Sequence, residues 1–111
     1  MLQNILDNDI LKSLYFTELK MLDLIVNPYA GRGRAKTDAK KVFEILDANG
    51  VKFAPHYTAR KKHATEIAYN LTLSGAETIV SVGGDGTIHE IVNGIILSLI
   101  HISEPTRHSL I

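Results

Sequence analysis

No cysteine occurs among the 111 residues, which excludes a disulfide framework and a thiolate metal site and is compatible with a reducing compartment. Charge excess is missing too. Twelve Lys and Arg balance twelve Asp and Glu, so no global field marks the chain as a nucleic-acid binder or a membrane-surface protein, and any charge argument must be local. No apolar run reaches the roughly eighteen residues that a bilayer-spanning helix needs. Residues 1–20 scatter Asp7, Asp9, Lys12, Glu18 and Lys20 among the apolar positions, leaving no signal-peptide core. A soluble cytoplasmic chain is the expectation. Its 45% hydrophobic content is enough for one compact core but short for two.

Residues 22–27 (LDLIVN) and 78–82 (TIVSV) are short apolar runs ended by Pro28 and by paired glycines, and both read as buried strands. Residues 51–58 (VKFAPHYT) read as a third strand, which Pro55 places near an edge. Between the strands, Ala39, Val42, Phe43 and Leu46 recur at helical spacing over residues 36–49, and Ile67, Ala68 and Leu71 do so over 63–74. Gly50 and Gly75 supply the stops. Alternating strands and helices predict an α/β fold with a parallel sheet covered by helices, whose ligands bind beyond the carboxyl ends of the strands. The two unusual loops, after Val26 and after Val82, fall at that edge. Residues 1–20 allow a marginal helix and read as an upstream extension before a start at Met21.

The loop SVGGDGTIHE (residues 81–90) puts three glycines around one carboxylate at a strand end. Glycines let backbone amides approach a polyphosphate, and a following helix start favours negative charge. Asp85 would repel phosphates unless it binds a divalent cation, orders water or hydrogen-bonds a hydroxyl. Thr87 is placed to cap the helix, which is expected to start near Ile88, or to donate to a phosphate oxygen. The plainer alternative is a glycine turn in which Asp85 is an ordinary cap. The loop at residues 27–34 (NPYAGRGR) adds a second glycine-bearing turn, with Asn27 able to bond a base or ribose and Arg32 and Arg34 able to reach phosphate oxygens. Neither a P-loop lysine pattern nor a GxGxxG fingerprint is present.

Asn27-Pro28-Tyr29-Ala30-Gly31 resembles the NPxxG element of the diacylglycerol kinase catalytic domain family, which includes bacterial diacylglycerol kinases and sphingosine and ceramide kinases. Residues 83–94, GGDGTIHEIVNG, resemble that family's GGDGTxNExxNG signature, and His63 to Glu66 (HATE) resembles a stretch between the two. The resemblance covers residues 21–96. It implies a partial three-layer, Rossmann-like lobe shared with NAD kinases and phosphofructokinases, ATP and Mg²⁺ as cofactors, and transfer of the γ-phosphoryl group to a hydroxyl of diacylglycerol or a related lipid. It further implies ATP contacts from Asn27, Pro28, Tyr29, Ala30, Gly31 and Thr58, and from Gly83, Gly84, Asp85, Gly86, Thr87, Ile88, His89 and Glu90, with Asp85 catalytic. His89 departs from the commoner Asn. A PxGTxND-like segment and a β-rich domain carrying the lipid site should follow in that family; instead, residues 97–111 (LSLIHISEPTRHSLI) resemble the translation of a sequencing adapter and are expected to be non-native. A lobe of this kind is expected to be inactive alone. The alternatives are an NAD kinase-like enzyme or a non-catalytic nucleotide-binding fragment.

His56, His63 and His89 lack short ligand spacing, and His89-Glu90 does not open an HExxH motif because position 93 is Asn. Arg60, Lys61 and Lys62 after the third strand could steer ATP or touch anionic lipid, giving peripheral contact at the inner face of a membrane, or simply form a solvated face. Arg32 and Arg34 are the better-placed phosphate ligands, since they sit in the turn itself.

Overall fold

The computed structural model describes residues 21–109, with side chains through residue 102; the expected helix before Met21 lies outside them. The order is β1 (Leu22–Val26), α1 (Arg34–Ala48), β2 (Phe53–Tyr57), α2 (His63–Leu73), β3 (Ile79–Val82) and α3 (Asp85–Ser109). All three strands are parallel, in the order β2-β1-β3, with Val26 opposite both Tyr57 and Val82. β1 is central because it is apolar on both faces: Leu24, Ile25 and Val26 are all 0% exposed. Pro55 lies on the edge strand β2, where only one side needs amide donors.

Alternation along β1 divides the core. Leu24 and Val26 pack with Ala39 and Val82 under α1, joined by Val42, Phe43 and Leu46. Ile25 points to the other face and packs with Ala64, Ala68 and Ile91 of α2 and α3. Helices therefore cover both faces, as the alternation of elements predicts. Phe43 stacks on Phe53 at 5.1 Å between centroids, fixing α1 against the outer strand.

Both expected glycine stops are present. At the end of α1, Gly50 has φ +69°, and its N–H donates to Asp47 O while Val51 N–H donates to Leu46 O. Gly75, at φ +95°, repeats the arrangement after α2, with Gly75 N–H on Thr72 O and Ala76 N–H on Leu71 O. This bond pair satisfies carbonyls that a helix end leaves open and needs a left-handed residue.

α1 begins at Arg34, two residues before the predicted start, after a turn in which Gly31, Arg32 and Gly33 all have positive φ. The third helix also begins early, at Asp85 rather than near Ile88, because the Gly84 carbonyl already accepts the N–H groups of Thr87 and Ile88. Residues 97–109 continue α3; within them, the buried Ser98 hydroxyl bonds Ile95 O at 2.6 Å, and His101 meets Tyr69 edge-on. Among the described residues, no helix is long and apolar enough to cross a membrane.

α2 and α3 approach closely. A Cβ on Gly94 would lie 2.3 Å from the Thr65 carbonyl oxygen and 3.0 Å from Ala68 Cβ, so only glycine fits this crossing. Beside it, the Thr65 hydroxyl donates to Glu90 O at 2.9 Å.

Candidate functional site

Parallel strands carry their loops out at one edge, and here the ladder extends one step beyond the strands. Asn27 N–H donates to Val82 O and Thr58 N–H donates to Val26 O, both at 2.9 Å. Asn27, Thr58 and Gly83 consequently leave the sheet side by side.

Asn27 then ties two loops together. Its Nδ2 donates to Thr87 Oγ1 at 3.3 Å, and its Oδ1 accepts the Tyr29 N–H at 3.2 Å. Thr87 is 4% exposed, and among the described residues its hydroxyl proton has no acceptor. The expectation that Thr87 caps the helix is corrected: Gly84 occupies the cap position, and Thr87 lies one turn inside, buried against Asn27. Asp85 is likewise no cap but the first residue of α3, exposed, and without a hydrogen-bonding or ionic side-chain partner among the described residues.

The glycines of this loop have different reasons. A Cβ on Gly83 would meet Thr87 Oγ1 at 2.5 Å, so Gly83 is demanded by the buried threonine. Gly84 and Gly86 have nothing within 4 Å of such a Cβ, and neither is in the left-handed region. Gly84 is suited to the cap, where glycine is preferred over alanine, so packing and backbone conformation leave only Gly86 unexplained. Its surroundings are the start of a 25-residue helix, where the amides of Asp85 and Gly86 precede the first intrahelical bond and the helix dipole is positive.

Beside this helix start lies a cavity of about 240 Å³. Asn27, Thr58 and Thr87 supply neutral polar groups to its wall, Arg60 and Lys61 supply cations, and Glu90 a carboxylate, with Tyr29, 76% exposed, at its margin. Arg60 is shared with Glu66, whose carboxyl it holds below the usual range, first by its hydrogen bond and then by its charge. Lys61 has no ionic partner among the described residues.

The remaining residues singled out in the sequence divide among three other places. Ala30, Gly31, Gly83 and Gly84 border a second cavity of about 370 Å³ against α1 and β3, and Arg34 lies there with Asp38. His89 lines a groove between α2 and α3 with Lys61 and Lys62. Pro28, Asp85, Gly86 and Ile88 line none of these cavities, although Asp85 and Gly86 form the helix start itself. Arg32 and Arg34 are not the cations of the smaller cavity; Arg60 and Lys61 are. Their signal was position, since they lie two and three residues after Thr58, just past the carboxyl end of β2. Among the described residues, no group of three or more His, Asp or Glu side chains could hold a metal ion.

Known proteins resemble this chain in sequence and in overall fold. The profile of the diacylglycerol kinase catalytic domain matches residues 21–107. Sphingosine kinase 2 of Homo sapiens is 40% identical over 74 residues, which are 66% of this chain and 11% of that protein. Diacylglycerol kinase of Bacillus subtilis (strain 168) is 34% identical over 77 residues, 69% of this chain and 25% of the relative. Among solved structures, "A putative diacylglycerol kinase from Bacillus anthracis str. Sterne" superposes with a TM-score of 0.58 at 34% identity, over 67% of this chain and 26% of that one. The chain thus spans about a quarter or less of these relatives' length. A parallel α/β lobe with this loop edge, matched over residues 21–107, belongs to the diacylglycerol kinase catalytic domain family.

Proposed function

We propose that residues 21–96 are the nucleotide-binding part of an ATP-dependent lipid kinase, which transfers the γ-phosphoryl group of ATP to a hydroxyl of diacylglycerol or a related lipid. The observation that carries this reading is Gly86, beside the cap residue Gly84. A glycine inside the first turn of a helix costs up to about 1 kcal/mol against alanine, and no packing contact requires Gly86. Room for a phosphate beside open amides accounts for it.

In this reading the amides of Asp85 and Gly86 receive phosphate oxygens. The hydroxyls of Thr58 and Thr87 donate to the polyphosphate, Lys61 and Arg60 neutralise it, and Asn27 keeps the first loop locked to the helix start. Phosphoryl transfer depends mostly on positioning and charge neutralisation, which is what such a constellation supplies. The donor set suits Mg²⁺, which takes one or two carboxylates and otherwise phosphates and water: Asp85 is the carboxylate at the helix start and would hold the ion, whose charge would neutralise the transferred group. Asp85 would also orient the accepting hydroxyl. A lipid acceptor implies work at a membrane surface, from the cytoplasmic side.

The names of the matched relatives, sphingosine kinases and diacylglycerol kinases, support a lipid acceptor over NAD. The test has two arms. Calorimetry of the chain with ATP and Mg²⁺ should give saturable binding that Gly86→Ala weakens. Labelled ATP, supplied to a full-length relative with the same loops, should phosphorylate diacylglycerol or sphingosine in mixed micelles and leave NAD untouched; phosphorylation of NAD alone would defeat the reading.

A further inference from the structure

The rim of the smaller cavity depends on one ring nitrogen. Thr58 is still held to β1 through its N–H, and His63 opens α2, so the chain must reverse within residues 59–62. Lys62 does so at φ +64°, a left-handed conformation that costs a non-glycine residue free energy. Two bonds close the reversal. His63 N–H donates to Arg60 O at 3.1 Å, and Ala59 N–H donates to His63 Nδ1 at 2.8 Å. Arg60 and Lys61, the cations of the cavity, lie between these bonds, and Ala59 and Ala64 line the same cavity.

A ring nitrogen that accepts a hydrogen bond carries no proton. The Ala59 bond therefore requires a neutral imidazole with its hydrogen on Nε2. Protonation would set an N–H against the Ala59 N–H, turning an attraction into a meeting of two donors. The ring does not line the cavity, so its effect there passes through the loop.

We propose that His63 is a positioning residue for nucleotide: its neutral ring, by accepting the Ala59 N–H, holds Arg60 and Lys61 at the cavity, and its protonation releases them. This rests on reading the cavity as the ATP site. The charged groups of this segment are Arg60, Lys61 and Lys62 on the loop and Glu66 on α2, which interacts with the ring, while Glu90 and His89 of α3 border the cavity and groove that the loop also lines. An imidazolium among them would attract polyphosphate at long range, so an electrostatic effect alone would strengthen binding at low pH. Loss of loop positioning weakens it. The sign of the pH dependence separates the two.

The experiment compares the wild-type chain with His63→Asn and His63→Ala between about pH 8 and pH 5, where imidazoles titrate. ATP affinity is measured by calorimetry with Mg²⁺, and the Ala59 amide is followed by NMR without nucleotide. Asn offers Oδ1 as an acceptor that does not titrate. Titration of ATP itself is common to all three proteins. The expected result is that wild-type affinity falls about three- to tenfold more than that of His63→Asn over this range, the factor one neutral hydrogen bond is worth. His63→Ala should bind weakly at pH 8, and the Ala59 amide should titrate with the ring only in the wild type. Coincident profiles for wild type and His63→Asn, or affinity that rises on protonation, overturn the proposal and leave the ATP site standing. Absence of ATP binding to the wild type at pH 8 overturns both.

Discussion

Replacing glycine by alanine at two positions of α3 should have opposite consequences. At Gly94 the new methyl would lie 2.3 Å from the Thr65 carbonyl oxygen and 3.0 Å from both Tyr69 N and Ala68 Cβ. The first and second of these are backbone atoms, so no side chain can swing aside. α2 and α3 must separate by about 1 Å to reach ordinary contact, which loosens Ala64, Ala68 and Ile91 in the core and stretches the Thr65 to Glu90 bond. Overpacking of this kind costs about 1–3 kcal/mol, the bond adds about 1, and better helix propensity returns about 1. A net loss of about 1–3 kcal/mol is expected. At Gly86 the methyl meets nothing within 4 Å, so only the propensity gain applies, up to about 1 kcal/mol. Urea unfolding of both variants measures these values, and ATP titration supplies the second axis. Gly86→Ala should be as stable as wild type or more so and, on the proposed reading, in which the Gly86 amide receives a phosphate oxygen that the methyl would crowd, bind ATP at least about tenfold more weakly. A Gly94→Ala variant as stable as wild type would refute the packing argument. A Gly86→Ala variant that binds ATP normally would remove the observation on which the proposed function stands.

Asp85→Asn in a full-length relative should keep its melting temperature while phosphoryl transfer falls by at least about a hundredfold, roughly 2.7 kcal/mol; retained turnover would show that the carboxylate is not used. Asn27→Ala removes both the bond to Thr87 and the one to the Tyr29 N–H, and should lower stability by about 1–2 kcal/mol in denaturant titration and weaken ATP binding as the two loops uncouple. Because the carboxyl of Glu66 is held low in the folded chain, its contribution to stability is present above the unfolded-state pKa and is lost as pH falls through the lowered one. Arg60→Ala should raise that pKa, seen by NMR titration of Glu66, with only a small effect on melting because the pair is exposed.

The sheet was legible because its signals are local: the doubly apolar β1, Pro55 on an edge strand, and the glycines at 50 and 75 that end two helices. The start of α3 was less so. Propensity argues against Gly86 inside a helix and for Thr87 as its cap, but Gly84 takes that role when Thr87 is drawn inward by Asn27, a contact between residues 60 apart. Local pattern carries no trace of such a partner. Gly94 belongs to the quoted signature, yet its reason, the Thr65 carbonyl on another helix, exists only once the helices cross. Arg60 and Lys61 read as part of a basic run until the close of the loop at His63 puts them on the cavity.

The span between Asn27 and Thr87 also bears on when the site can exist. Its two halves leave the ribosome some 60 residues apart, so a nascent chain holding only the first loop has a strand, a turn and no place for a ligand. Asn27 is without its partner until β3 has docked beside β1 and the first turn of α3 has wound. Nucleotide binding, on the proposed reading, would report that the two loops have met: a ligand that requires both stabilises only chains in which Asn27 and Thr87 are already together, and rewards no earlier intermediate.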